Sequence, residues 1–312
     1  MIEKLLPFLK TKIRMRNKYW FWMLLFAFQF SFSQLKGVVK DSISGQPIPY
    51  VNIWVENENI GTTSELDGTF TINATSDKVL VFSALGFASK KIKADKIESV
   101  VLKNEAIALH EVIIAPPKHD SEIVIGNYNK GSINHHFACG NAPQILAKFF
   151  PFTKEMEQHS FLKSLLVLTK AEKGNAKFVL RFFEVNSDGS PGDDLIAQNI
   201  VVPIKKGKKN TSIDLESYKI KVPTNGFFVA VEWLIIEDNR YEYQFTKVNE
   251  GSKKFDGIGF DPRVGTIPSE ETSTWEYYKG KWRNNNFKNS QTESARYKDK
   301  YLELAMKLTL TN

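Results

Sequence analysis

Cysteine is nearly missing: Cys139 is the only one in 312 residues. An intrachain disulfide is therefore impossible, and stability must come from packed cores. No Gly-x-Ser-x-Gly elbow is present, nor a Ser/His/Asp set spanning strand, tight turn and helix, so a serine hydrolase of that kind is not expected. Soft metal ligands are scarce. His135, His136 and Cys139 cluster, but zinc would need further ligands at definite spacing, and the expectation is a loop with a free thiol and no metal. No cofactor fingerprint is found. Long heptad-like stretches are few, whereas 23 Phe, 10 Tyr and 6 Trp favour strands, because aromatic and β-branched side chains suit a half-buried pleated surface.

Charge of one sign is also in short supply once the first residues are set apart. The chain carries +7, but six of its 42 basic residues and one of its 35 acidic ones fall in residues 1–33. That leaves 36 against 34, or +2, and no case for a nucleic-acid partner. Residues 1–33 have the three parts of a signal peptide: Arg14, Arg16 and Lys18, then the apolar run from Tyr19 to Phe30, then Ser31-Phe32-Ser33, with cleavage expected before Gln34. The alternative, a membrane anchor, is disfavoured because the uncharged apolar run falls short of the ~20 residues needed for a crossing. Met15 stands where such a signal would begin and is a candidate true start.

From Leu35 to Ala115 strands and turns alternate. Val51, Ile53 and Val55 interleave with Asn52, Trp54 and Glu56 at the period of two that marks a half-buried strand. Val79 to Ala84 is continuously apolar, as in a strand covered on both faces. Asp67-Gly68 between Gly61-Thr62-Thr63 and Phe70-Thr71-Ile72 signals a hairpin. The set Gly37 to Asp41, Ser44-Gly45, Pro47-Ile48-Pro49, Val51-Asn52-Ile53, Gly61-Thr62, Asp67-Gly68-Thr69-Phe70, Ser83 and Gly86-Phe87 resembles the carboxypeptidase regulatory-like family. The resemblance implies a transthyretin-like or immunoglobulin-like sandwich of about seven strands. It also implies an accessory module without chemistry of its own, of the kind that opens Bacteroidetes-type envelope proteins, TonB-dependent transporters among them. Ile107 to Ile114 resembles the exit strand before a transporter plug, yet fewer than 200 residues follow, too few for an outer-membrane barrel.

The expected division is a signal peptide over 1–33, the regulatory-like domain over 34–115, a stiff linker over 116–122 opened by Pro116-Pro117, and a second unit over 123–312. In that unit Leu165 to Leu168, Phe178 to Val185, Phe227 to Trp233 and Tyr301 to Leu308 read as strands, while Pro143 to Phe150 reads as a short helix with Pro at its first position. Strands without intervening helices imply a second β-sandwich or jelly roll, and the order of turns resembles jelly-roll domains of carbohydrate-active and envelope proteins. The fold class expected is thus all-β.

Three loops offer candidate chemistry. Asp188, Asp193 and Asp194 share one loop that either gathers oxygen ligands for calcium or is simply a turn rich in Asp and Gly. Lys205, Lys206, Lys208 and Lys209 around Gly207 either meet an anionic surface or are solvated. Trp275-Glu276-Tyr277-Tyr278-Lys279-Gly280-Lys281-Trp282 spells an aromatic hairpin; its rings either fill the sandwich or stack on sugars, so Trp275, Tyr277, Tyr278 and Trp282 are the candidate ligand-binding residues. No catalytic residue is assigned. The reading is an exported, non-catalytic binding or scaffold module of the periplasm, outer membrane or exterior, whose partner is an envelope polysaccharide or another envelope protein. The competing reading is a carbohydrate-active hydrolase using dispersed acids such as Glu184, Glu232 and Glu242.

Overall fold

A computed structural model describes residues 34–105, 120–246, 251, 253–290, 292 and 294–312. The signal peptide, the exit strand and most of the Pro116-Pro117 linker lie outside the described residues. The regular elements described are strands and short 3-10 helices, in accord with the all-β class.

The N-terminal part is a sandwich of two small sheets. One orders Thr69–Asn73, Gln34–Asp41 and Ser99–Leu102, the last two parallel. The other orders Gly61–Thr63, Asn52–Val55, Val79–Ala84 and Phe87–Lys93. Their inner faces meet through Val39, Ile53, Phe70, Leu80, Phe82, Val100 and Leu102, the inward half of each period-two pattern. The hairpin expected at Asp67-Gly68 is not one: Gly61–Thr63 pairs with Asn52–Val55, and Thr69–Asn73 with Gln34–Asp41. The turn itself forms, with Gly68 at φ +74, but it carries the chain from one sheet to the other.

The C-terminal part is a larger sandwich. Its first sheet runs Pro191–Asp194, Lys177–Val185, Phe227–Trp233, Ile145–Phe150, Thr274–Tyr278 and Lys281–Asn284, with Ile200–Pro203 also paired to Lys177–Val185. The second runs Arg240–Thr246, Lys254–Ser269, Phe161–Ala171, Met306–Thr311 and Glu122–Ile125, with Gly207–Asp214, Tyr301–Leu304 and His136–Cys139 attached. The core between them takes Phe227, Val229, Val231 and Trp233 from the central strand, together with Leu146, Phe178, Leu180, Phe182, Leu165, Val167, Leu304, Met306 and Leu308. Trp233 is fully buried, and its indole N–H donates to the Pro262 carbonyl at 2.6 Å.

The short helix expected over Pro143 to Phe150 is a strand. Ile145, Ala147 and Phe149 face one way, Leu146 and Phe150 the other, and the segment pairs on both sides, with Phe227–Trp233 and Thr274–Tyr278. A strand buried on both faces loses the polar alternation that would have revealed it. Tyr301 to Leu308 divides at Ala305 into two strands, each paired to a different neighbour. The aromatic hairpin forms as expected, with Tyr277 opposite Trp282 and a turn of Lys279 and Gly280, both at positive φ.

Candidate functional site

The central strand of the first large sheet turns Phe228, Ala230 and Glu232 away from the main core. Its neighbours turn the same way Val179, Arg181 and Phe183; Ile145, Ala147 and Phe149; and Trp275, Tyr277 and Trp282. An outer sheet face is normally wet and polar. Here it is aromatic at one end and charged at the other, and the N-terminal part covers the charged end. Tyr50 packs against Val179, Leu234 and Ile236. The Thr63 N–H donates to the Ile235 carbonyl at 3.2 Å, and the Ile235 N–H donates back to Thr63 Oγ1 at 2.9 Å. The Gly61 N–H donates to the Asn141 carbonyl at 3.0 Å; a Cβ on Gly61 would lie 2.4 Å from Pro143 Cδ, so only glycine permits this approach.

What remains uncovered is a cleft of about 470 Å³ between the two parts. Asn52, Trp54 and Ser83 to Phe87 form one wall, and Arg181, Phe183, Asp194, Glu232, Tyr277 and Trp282 the other. Arg181 lies at its floor. Nε donates to Asp194 Oδ1 at 2.9 Å, Nη2 to Asp194 Oδ2, and Nη1 to Glu232 Oε2 at 3.1 Å. The guanidinium also sits 4.7 Å over the Phe183 ring. Burial works against its charge, but Glu232 and Asp194 together outweigh burial and hold the guanidinium protonated. Burial raises the Asp194 carboxyl, and Arg181 opposes that rise. Asn52 Nδ2 donates to Glu232 Oε1, which ties the N-terminal part into the same network.

Aromatic rings line the other end. Trp282 meets Phe183 edge-on at 5.3 Å and Tyr277 at 5.2 Å, while Trp275 packs edge-on to the buried Phe228 at 6.5 Å. Trp54 reaches across toward Gly280, and Lys279 Nζ donates to the Asn57 carbonyl at 3.1 Å, closing the cleft at the hairpin tip. Of the four hairpin residues singled out from sequence, Tyr277 and Trp282 line the cleft, Trp275 supports the floor, and Tyr278 belongs to the opposite strand face beside Glu276 and Arg283.

The other candidates lie apart. Glu232 is in the cleft, Glu184 sits near the end of Lys177–Val185, and Glu242 is exposed on Arg240–Thr246 in an ion pair with Arg240, so the three acids do not meet. Asp188 holds its own turn, accepting from the Ser190 N–H at 2.9 Å, whereas Asp194 serves Arg181. Cys139 is buried, its thiol donates to the Ala142 carbonyl, and burial pushes its pKa up. His135 lies against the Tyr297 ring at 4.2 Å. Among the described residues no group of three or more His, Cys, Asp or Glu could hold a metal. Arg181, Asn52 and Trp54 were not singled out from sequence, and Asp194 was singled out only as a candidate calcium ligand. A signal for Arg181 and Glu232 existed: each is a lone charge inside an apolar strand, Leu180-Arg181-Phe182 and Val231-Glu232-Trp233.

Residues 35–114 match the family of the CarboxypepD_reg-like domain. This domain therefore supplies Asn52, Trp54 and Ser83 to Phe87 to the cleft. Over 80 residues the chain is 30% identical to the TonB-dependent receptor SusC of Bacteroides thetaiotaomicron, and over 83 residues 37% identical to the TonB-dependent receptor P3 of Formosa agariphila. Each match covers 26% of this chain and 8% of the receptor, so the likeness is confined to the CarboxypepD_reg-like domain. Among solved structures, the cysteine protease and lectin-like domains of Cwp84, a surface layer associated protein of Clostridium difficile, align over 83% of this chain and 46% of that one, at 10% identity and a TM-score of 0.35. A likeness that low carries no argument about function.

Proposed function

We propose that the chain is an exported, non-catalytic binding module of the cell envelope whose cleft takes a saccharide. The observation that carries this reading is the pairing, in one cleft of about 470 Å³, of the Trp54, Tyr277 and Trp282 rings with a fixed set of polar groups around Arg181. Aromatic rings stack on the apolar faces of sugars, and a few placed polar groups select the hydroxyls. Glu105, Asp193, Asp194 and Glu232 outnumber Arg181 and Lys279 among the charged residues lining the cleft, which favours a neutral or amino-bearing sugar over an acidic one. Asp194 and Glu232 both serve the same guanidinium. That arrangement supports recognition over hydrolysis, because a glycosidase needs one carboxyl free as acid and the other as base or nucleophile across the scissile bond.

Screening the full chain against immobilised neutral, amino and acidic oligosaccharides, with assay of released reducing ends, tests the reading. The expected result is retention of a neutral or amino sugar, abolished by Trp282→Ala, with no release of reducing ends. Turnover of the bound sugar would establish the hydrolase instead, and the absence of any sugar ligand would leave another envelope protein as the partner.

A further inference from the structure

A second row of rings lies on the outer face of the other large sheet. The edge strand Arg240–Thr246 turns Tyr241, Tyr243 and Phe245 to one side, where they join Phe255 in a continuous ladder with centroids 5.8, 5.9 and 5.8 Å apart. The residues opposite the tyrosines are Gly259 and Gly257. A Cβ on Gly259 would lie 2.5 Å from the Tyr241 ring, and one on Gly257 2.6 Å from the Tyr243 ring, so each ring lies down across a glycine. A ring held flat against the backbone offers its other face to solvent, and Tyr243 is 45% and Phe245 38% exposed. Adjacent planes differ by only 32 to 40°, so the ladder follows the sheet twist as one surface.

Cations attend both ends. The Lys253 ammonium stands 5.3 Å from the Phe255 ring and the Arg263 guanidinium 5.1 Å from the Tyr241 ring. Arg263 is ion-paired with Glu172 and lies 4.0 Å from Asp261, but Lys170, Lys206 and Lys208 also act on Glu172 and His136 there, so cations outnumber carboxylates at this end. Lys206 and Lys208 come from the basic loop around Gly207.

We propose that this ladder binds an extended anionic polysaccharide, its sugar faces on the rings and its carboxylate or sulfate groups toward the flanking cations. An open row of rings tolerates a long chain, whereas a pocket encloses a short one. The flanking charge selects the sign of the ligand. This site is separate from the cleft and does not depend on it.

Affinity electrophoresis of the full chain through gels containing polygalacturonate or neutral dextran reads it out. Polygalacturonate is expected to retard the protein and dextran to leave it free. Tyr243→Ala and Phe245→Ala should each weaken retardation about tenfold without moving the melting temperature. Lys253→Gln combined with Lys170→Gln should weaken it at low salt and matter less at high salt. Trp282→Ala in the cleft should change nothing. Equal retardation by dextran, or undiminished retardation of both ring variants, would overturn the proposal. So would Tyr243-dependent sedimentation with phosphatidylglycerol vesicles in a protein that ignores polygalacturonate.

Discussion

The two large sheets each carry an aromatic row on an outer face, and the rows differ in what lies across from the rings. At the cleft, Tyr277 pairs with Trp282, which also meets Phe183, so bulky neighbours stand these rings edge-on and half-bury Tyr277 and Trp282. On the edge strand Tyr241 and Tyr243 face Gly259 and Gly257 and lie flat, and Tyr243 and Phe245 are exposed. The first row sits under a second domain and among carboxylates; the second is open and bordered by cations. Strands of similar aromatic content thus become an enclosed acidic cleft or an open basic platform, according to the residue across the strand and whether another domain covers it.

The sharpest break should come at the cleft floor. Phe228→Ala removes a fully buried ring and is expected to lower stability by about 3–5 kcal/mol, measurable by urea denaturation. Gly61→Ala should cost about 1–3 kcal/mol, because its methyl cannot fit against Pro143, and should abolish cleft binding while sparing the ladder. A normal melting curve with intact cleft binding would show that the docked CarboxypepD_reg-like domain is not the cleft's second wall. Tyr243→Ala, by contrast, should stay within about 0.5 kcal/mol of wild type. A separate effect concerns pH. His136, packed behind the basic end of the ladder, is lowered from 6.5 to about 4 by burial, then by Lys170, Lys208 and Arg263. A depressed folded-state value means that its contribution to stability is fully present above pH 6.5 and fades as pH falls through about 4. His136→Gln should flatten the melting temperature across that interval.

Much of this architecture was legible in the sequence. The period of two in Val51 to Glu56 and in Phe227 to Trp233 identified the core faces, and Lys279-Gly280 fixed the hairpin. What escaped was whatever depended on pairing between distant segments. Ile145–Phe150 is buried on both faces, with Lys148 its one charge drawn inward to Glu303, and carries no period to separate strand from helix. Asp67-Gly68 shows that the chain turns without showing which sheet it turns into. Half of the cleft was visible as Tyr277 and Trp282; the half made by Asn52 and Trp54 was not, because those residues read as the solvent side of a half-buried strand and only docking places them against Glu232 and Gly280.

Cleft and ladder should bind different ligands independently, and one crossed titration tests that. Wild type, Trp282→Ala and Tyr243→Ala are each titrated calorimetrically with the neutral or amino oligosaccharide retained in the screen and with polygalacturonate. Trp282→Ala should lose the first ligand alone and Tyr243→Ala should weaken the second alone. Loss of both ligands through either single substitution, or of neither through both, would contradict it.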